Sequence, residues 1–324
     1  MTAPARPATA QGSRVEVSVV VPVLDEVESL PTLYRELTSV LESLGRPYEM
    51  VFVDDGSRDG SFQTLEKLHR SDDRVRVVQL RRNFGKAAAL AVGFRTARGQ
   101  MIVTLDADLQ DDPAELPRLL QRLEDGCDMV SGWKRDRQDP ASKTLPSRLF
   151  NRVTAWLTGV RLRDFNSGFK AYRREVVEEL RLYGELHRFI PALAAWRGFR
   201  VDEVPVDHRP RRFGRSKYGS ARFWRGCLDL LTVLFLTRYT RRPFHLFGGL
   251  GLVAWAGGGA VNLYLVGLWL AGVRPIGNRP LLAFGILAML VGLQFFCLGL
   301  LSELILSYQT ARGADDVSVR CQLD

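Results

Sequence analysis

Residues 243 to 273 contain no Asp, Glu, Lys or Arg, and residues 281 to 302 form a second uncharged run of 22. About 20 apolar residues cross the hydrocarbon core of a bilayer, so each run is long enough to span one, the first with some tilt. The alternative is a pair of buried core helices. Uncharged runs of this length are rare in soluble domains, so spanning helices are the expectation. The link Arg274-Pro-Ile-Gly-Asn-Arg279 is short, which predicts a helical hairpin. Gly249, Gly251, Gly257, Gly258 and Gly259 suit close helix packing in lipid.

The remaining residues of the 324 read as a globular chain. Lys plus Arg is 45 and Asp plus Glu is 36, a net charge of +9, with 46% hydrophobic residues, which excludes a disordered or collagen-like chain. Cys127, Cys227, Cys297 and Cys321 form no C-x-x-C pair, which excludes a disulfide scaffold and argues against structural zinc. The first 14 residues are polar and Ala/Pro-rich without an apolar segment, so they read as a flexible tail and not a signal peptide. Between Arg209 and Arg242 ten basic residues face one acid, Asp229, a local charge of +9 equal to that of the whole chain. This segment abuts the first apolar run. The positive-inside rule then puts the N-terminal domain and both termini in the cytoplasm. Residues 220 to 239 interleave arginines with aromatics and leucines and read as a helix lying in the membrane interface. No nucleic-acid motif accompanies these charges, so nucleic acid is not an expected partner.

Residues 17 to 106 alternate between two periods. Val17 to Val23, Glu49 to Asp54, Val75 to Leu80 and Met101 to Asp106 are short apolar runs rich in β-branched residues, expected as buried strands. Between them, Leu30 to Leu44, Phe62 to Arg70 and Lys86 to Arg98 follow helical spacing, with Pro31 in the first turn and Gly45 at the end of the first helix. The alternation predicts a largely parallel sheet with helices on both faces, whose ligands bind beyond the carboxyl ends of the strands.

Three acidic motifs fall at those ends. Asp54-Asp55-Gly56-Ser57 offers a carboxylate to a base or ribose hydroxyl, or is simply a turn. Asp106-Ala107-Asp108-Leu109-Gln110 brings two oxygen-bearing side chains to one side of an extended segment, where a hard divalent cation on a diphosphate would find them. The competing reading is a helix N-cap, because Asp111, Asp112 and Pro113 open the next helix. Glu26, after Pro22-Val23-Leu24-Asp25, is either a site residue or a first-turn acid.

Taken together, V-P-V-L-D-E, V-D-D-G-S, R-N-F-G-K, L-D-A-D-L-Q and D-F-N-S-G-F-K, in that order, resemble the family 2 glycosyltransferases of the GT-A fold. Within them the chain is most similar to the polyprenyl-phosphate (dolichyl-phosphate-type) sugar transferases, from about Val17 to Tyr239. The resemblance implies an α/β, Rossmann-like domain, a nucleotide-sugar donor, a polyprenyl-phosphate acceptor in the lipid membrane, and Mg²⁺ or Mn²⁺. It implies that Pro22, Leu24, Glu26, Val53 and Asp55 line the nucleotide pocket and that Asp106 and Ala107 contact nucleotide and ribose. Asp108 and Gln110 would hold the metal, making Asp108 catalytic. Arg211 and Lys217, in the basic loop, would clamp phosphates, and Arg148 of the middle loop, with Lys134 and Arg135, would join that clamp. Asp111-Asp112-Pro113 departs from the direct D-P of many relatives and is expected only to lengthen the turn.

Asp164, in the motif near sugar and acceptor, is a catalytic base, a residue that orients sugar or acceptor, or a purely structural residue. The acceptor is a phosphate monoester with a second pKa near 6, so it needs little deprotonation at pH 7. His187, beside apolar residues, reads as structural. The expected organisation is a tail to residue 14, a glycosyltransferase domain over 15–215, a basic interfacial region over 216–242, a hairpin over 243–310 with spans at about 244–273 and 280–306, and a cytosolic tail over 311–324. Membrane relatives add a homotetramer and a flippase as expected partners, and the plasma (inner) membrane as the location. Two rivals are weighed. A processive polysaccharide synthase would carry a Q-x-x-R-W motif and more spans, and this sequence has neither. A non-catalytic anchor would not be expected to keep Asp106, Asp108, Gln110 and Lys217.

Overall fold

The computed structural model describes residues 15–134, 151–209 and 243–311, apart from 157, 181, 183, 185, 274, 276 and 278, together with 231–233, 235 and 239. Arg148, Arg211, Lys217 and most of the basic region 216–242 lie outside the described residues. The chain divides into two compact units, Met1–Val233 and Leu234–Asp324.

In the first unit β1 (Val17–Val23), β2 (Tyr48–Asp54), β3 (Val75–Gln79) and β4 (Met101–Thr104) alternate with α1 (Leu30–Ser43), α2 (Ser61–Ser71) and α3 (Lys86–Thr96). The apolar runs become strands because burial on both faces rewards unbroken β-branched sequence. Val17, Val19 and Val21 of β1 face one core cluster with α1, while Val20 faces the other. On α1 the buried residues Leu30, Leu33, Leu37 and Leu41 form one stripe at helical spacing.

Beyond β4 come α4 (Leu116–Glu124), β5 (Met129–Lys134), β6 (Lys170–Arg173), α5 (Arg174–Glu179), α6 (Ile190–Trp196) and β7 (Val201–Val206). The seven strands order as β3-β2-β1-β4-β6-β5-β7. β1, β2, β3 and β4 pair in parallel, as do β5 and β7, and only β6 is antiparallel to its neighbours β4 and β5. The chain moves outward from β1 through β2 to β3, then crosses to β4 on the other side of β1. Such a reversal opens a crevice at the carboxyl edge. There Thr104 of β4 lies opposite Lys170 of β6, so the segment entering β6 arrives at the end of β4.

The second unit contains α7 (Pro243–Leu270) and α8 (Pro280–Ala311), two helices long and apolar enough to cross a membrane. They pack through glycine. A Cβ on Gly258 would lie 2.6 Å from the Gly285 carbonyl, and one on Gly251 2.7 Å from that of Gly292. Gly249, Gly257 and Gly259 meet nothing within 4 Å, so two of the five expected packing glycines make the contact. Glu303 of α8 accepts the Phe244 N–H of α7 at 3.4 Å, satisfying a donor that a helix N-terminus leaves without a partner.

Candidate active site

The first acidic motif organises loops. Asp55 is buried, and its two carboxylate oxygens accept the backbone N–H groups of Phe84 at 2.7 Å and Gly85 at 2.9 Å. Burial raises the Asp55 pKa, and these two N–H bonds oppose the rise. Gly56 has φ +75°, and a Cβ there would lie 2.6 Å from the Arg82 carbonyl carbon. The R-N-F-G-K segment is therefore clamped onto the end of β2. Asp25 (φ 49°) accepts the Arg58 N–H at 2.8 Å, and the Glu26 N–H donates to Ser61 at 2.9 Å. The Glu26 carboxylate accepts the Ser29 hydroxyl at 3.1 Å. Pro22 and Leu24 are partly exposed at the end of β1, whereas Val53 is 0% exposed inside the second core cluster. Val53 thus lies beneath the pocket surface, because inward residues of a doubly covered sheet belong to the core.

The second motif is not extended. β4 stops at Thr104, and Leu109 takes φ 59° in the turn that follows. The alternation argument for Asp106 and Asp108 therefore does not apply here. Asp106 pairs with Lys86, the first residue of α3, at 2.5 Å. Asp108 is 8% exposed, and its Oδ1 accepts the Gln110 N–H at 3.2 Å. Ala107 is buried. The helix-capping role falls to Asp112, whose carboxylate accepts the Ala114 N–H at 3.0 Å ahead of Pro113. Asp111 does more than lengthen the turn: it is buried and pairs with Lys134 of β5 at 3.2 Å.

The third group arrives with β6. Asp164 is 2% exposed and accepts the Asn166 N–H at 3.0 Å. A Cβ on Gly168 would sit 2.6 Å from Asp106 Oδ2, so this loop lies directly against the Asp106 carboxylate. Lys170, 3% exposed, folds back beneath the loop and donates to the Ser167 and Phe165 carbonyls. The Thr104 hydroxyl donates to the Gly168 carbonyl at 2.9 Å.

The charges explain one another. Burial raises the Asp106 pKa, but the Lys86 ammonium, helped by Lys134, leaves it lowered. Burial pulls the Lys134 pKa down, and Asp111, Asp106 and Asp164 outweigh that, so it is raised. Lys170 falls to about 8 through burial and Lys86. His187, on the turn Leu186–Phe189, is held well below the ordinary imidazole value by burial, Lys86, Arg188 and Lys170, and is neutral at pH 7. His208 faces Gln110 across 3.4 Å between Nε2 and Nε2, where the turn before the basic region bridges to Asp111.

Asp106, Asp108, Gln110 and Asp164 therefore gather at one edge, with Pro22, Leu24, Glu26 and Asp55 at the ends of the neighbouring strands. Sequence assigns no role to Lys86, Lys170 or His208. Lys86 and Lys170 stand in recognised motifs, and only a paired or buried environment marks them. His208 carries no sequence signal beyond preceding the basic segment. His187, read as structural, has Asp106 and Lys86 as electrostatic neighbours.

This arrangement can hold a nucleotide at strand ends, an oxygen-bound divalent cation at Asp108 and Gln110, and an acceptor near Asp164. Among the described residues no three His, Cys, Asp or Glu side chains form a metal cage. A carboxylate plus an amide oxygen fits a Mg²⁺-type ion that keeps substrate phosphates as further ligands.

The chain is similar in fold to glucosyl-3-phosphoglycerate synthase from Mycobacterium tuberculosis, solved in complex with Mn²⁺, UDP and glucosyl-3-phosphoglycerate. That match has a TM-score of 0.53 and 19% identity, over 69% of this chain and 80% of that one. The chain is 38% identical over 297 residues to dodecaprenyl-phosphate galacturonate synthase of Rhizobium johnstonii, covering 90% of this chain and 88% of that protein. It is 37% identical over 292 residues to undecaprenyl-phosphate 4-deoxy-4-formamido-L-arabinose transferase of Salmonella paratyphi B, again over 90% and 88%. The family described as Glycosyl transferase family 2 matches residues 18–181. With that family match over half of its residues and a relative 38% identical along 90% of its length, the chain belongs to glycosyl transferase family 2.

Proposed function

We propose that the protein transfers a sugar from a UDP- or GDP-linked donor to a membrane polyprenyl phosphate, with inversion at the anomeric carbon. The observation that carries this reading is the contact of Gly168 with Asp106. It brings the loop bearing Asp164 against the acidic turn after β4. Two relatives that align over 90% of the chain at 37–38% identity are named for dodecaprenyl- or undecaprenyl-phosphate sugar chemistry, which supports the acceptor class.

In this mechanism an oxygen of the lipid phosphate attacks the anomeric carbon while the bond to the donor diphosphate breaks. The nucleoside diphosphate leaves, and no covalent enzyme intermediate forms. The second pKa of a phosphate monoester is near 6, so the nucleophile is already anionic at pH 7. Asp164 is buried, bonded to Asn166 and flanked by Lys134 and Lys170. It acts here as the residue that orients sugar or acceptor, and the rate comes from positioning and charge stabilisation. Asp108 and Gln110 would hold a divalent cation, which would supply charge neutralisation for the leaving diphosphate. Glu26, Leu24, Pro22 and Asp55 shape the nucleotide side, with Asp106 and Ala107 beneath the ribose. Arg211, Lys217 and Arg148 clamp phosphates, Arg through bidentate contacts and Lys as a point charge. The apolar helices anchor the chain in the plasma membrane, and the basic segment before α7 keeps the glycosyltransferase domain on the cytoplasmic side.

The test uses purified full-length protein in detergent, a short polyprenyl phosphate, and each common UDP- and GDP-sugar with Mn²⁺ or Mg²⁺. Glycolipid is detected by mass. One donor gives product, and a chelator or Asp108→Asn abolishes it. Folded protein that binds a nucleotide but glycosylates no polyprenyl phosphate refutes the acceptor assignment.

A further inference from the structure

Trp156 is 79% exposed, the most exposed large apolar side chain among the described residues. It stands in a helical stretch described at 151–156 and again at 158, and over residues 151–156 the polarity is inverted. Its buried positions are Asn151, 6% exposed, and Thr154, 0% exposed. Its outward positions are Arg152, Val153 at 37% and Trp156. Val153 and Trp156 are three residues apart, as are Asn151 and Thr154, so each pair shares one side of the helix. A helix in contact with water buries its apolar stripe and exposes its polar one. Apart from the exposed Arg152, residues 151–156 do the opposite, so this outer face suits something other than water alone.

Charge selects the partner. From Pro140 to Arg163 there are five basic residues, Lys143, Arg148, Arg152, Arg161 and Arg163, and no acidic one. Arg152 and Arg161 are exposed. An indole with an aliphatic neighbour and flanking arginines matches the headgroup layer of an anionic bilayer. The ring sits there at the acyl boundary, and each cation adds about 1 kcal/mol of attraction near the surface. The same chain carries two membrane-length helices, so a bilayer lies within reach of its covalent tether.

We infer that the helix at 151–156 docks on an anionic lipid surface, with Val153 and Trp156 entering the headgroup layer and Arg152 and Arg161 at lipid phosphates. This contact is additional to the basic segment before α7. It also reaches the site: the Asn151 amide donates to the Arg163 carbonyl at 2.8 Å, immediately before Asp164. Docking therefore fixes the depth of the Asp164 loop relative to the headgroups. That consequence rests on the transfer reading, whereas the docking itself does not.

The experiment uses the full chain with its four cysteines replaced by serine, reconstituted in vesicles of phosphatidylethanolamine and phosphatidylglycerol. A nitroxide is attached at Trp156→Cys, at Val153→Cys and at Glu175→Cys, an exposed control on α5. Collision with oxygen is compared with collision with a water-soluble nickel chelate. The expected result is an oxygen-to-nickel ratio several-fold higher at 153 and 156 than at 175. A ratio at 156 equal to that at 175 puts the face in water and overturns the inference. Shielding from both reagents shows protein cover, a second copy included, and overturns it as well. If the cysteine-free chain does not reconstitute, quenching of the wild-type chain by brominated lipid answers the same question. Wild type then loses more fluorescence than Trp156→Phe, and equal losses refute docking. Neither readout depends on transferase activity, so a failed transfer assay leaves this test intact.

Discussion

Gly168→Ala tests whether the loop before β6 and the acidic turn after β4 form one working unit. The added methyl would meet Asp106 Oδ2 at 2.6 Å and both Cγ and Oδ1 at 2.7 Å, whereas ordinary contact begins at 3.4 Å. Something must retreat by about 3.4 − 2.6 = 0.8 Å. Asp106 cannot swing away without giving up Lys86, to which it is bonded at 2.5 Å. The loop cannot lift without losing the Thr104 bond at 2.9 Å and the Lys170 brace. Overpacking of this kind costs roughly 1–3 kcal/mol of stability. A displacement near 1 Å in a catalytic constellation costs on the order of 10²-fold in rate. The expected outcome is folded protein with kcat/KM down by about 10²-fold, equivalent to about 2.7 kcal/mol of transition-state stabilisation. Gly45→Ala is the control. Gly45 has φ +65° and nothing within 4 Å, so alanine there costs roughly 1–2 kcal/mol of stability and leaves kcat/KM unchanged. Steady-state transfer and thermal melting are measured on both variants. Wild-type kcat/KM in Gly168→Ala would refute the coupling of the two motifs.

Asp55→Asn replaces one of two acceptors with an NH2 facing a backbone N–H, at a cost of about 1–3 kcal/mol. Hydrogen exchange at residues 83–86 should accelerate, and unchanged protection there would show that Asp55 is not their anchor. Lys170 titrates at about 8 in the fold against 10.5 for an ordinary lysine amine. Between those values the unfolded chain binds more protons than the native one, so stability rises with pH across this window and is lost as pH falls through 8. Lys170→Met should flatten that rise in denaturant titrations, and an unaltered slope assigns the rise to other groups. Gly258→Leu should lower the detergent melting temperature, because its Cβ meets the Gly285 carbonyl at 2.6 Å. Gly257→Leu, with nothing within 4 Å, should leave it unchanged, and equal effects would show that the helices do not pack through glycine.

Much of the sheet was legible because its determinants are local. Val17–Val23 stands at the residues expected, and α1, β2, α2, β3 and α3 depart by only a residue or two at their ends. β4 ends earlier than its apolar run, since Leu105 is buried but leaves the ladder for the turn. The candidate site was legible as a set of motifs at strand ends, but not as a set of contacts. Asp55 looks from sequence like a ligand for ribose, and its two oxygens are also the anchor of the Phe84 loop. Val53, two residues before Asp55 on the same motif, is packed in the core cluster, a burial that motif matching does not register. Lys86 and Asp106 are 20 residues apart, and Lys134 and Asp111 23, so only the assembled sheet reveals either pair.

The placement of β6 accounts for the chemistry at this edge. Had it run parallel like β4, the segment entering it would reach the opposite end of the sheet, and Asp164 would never approach Asp106. Running antiparallel between β4 and β5, it brings Asp164 and Gly168 to the carboxyl edge, beside the end of β5 where Lys134 stands. Three ammonium groups, Lys86, Lys134 and Lys170, then face three carboxylates, Asp106, Asp111 and Asp164. The opposing charges make burial tolerable and hold the loops in place, and among these described residues they leave little surplus positive charge for a donor diphosphate. A diphosphate entering this cleft therefore needs cations from elsewhere. On the proposed function, that requirement would give a common physical reason for a cation held at Asp108 and Gln110 and for the ten basic residues in the sequence between Arg209 and Arg242.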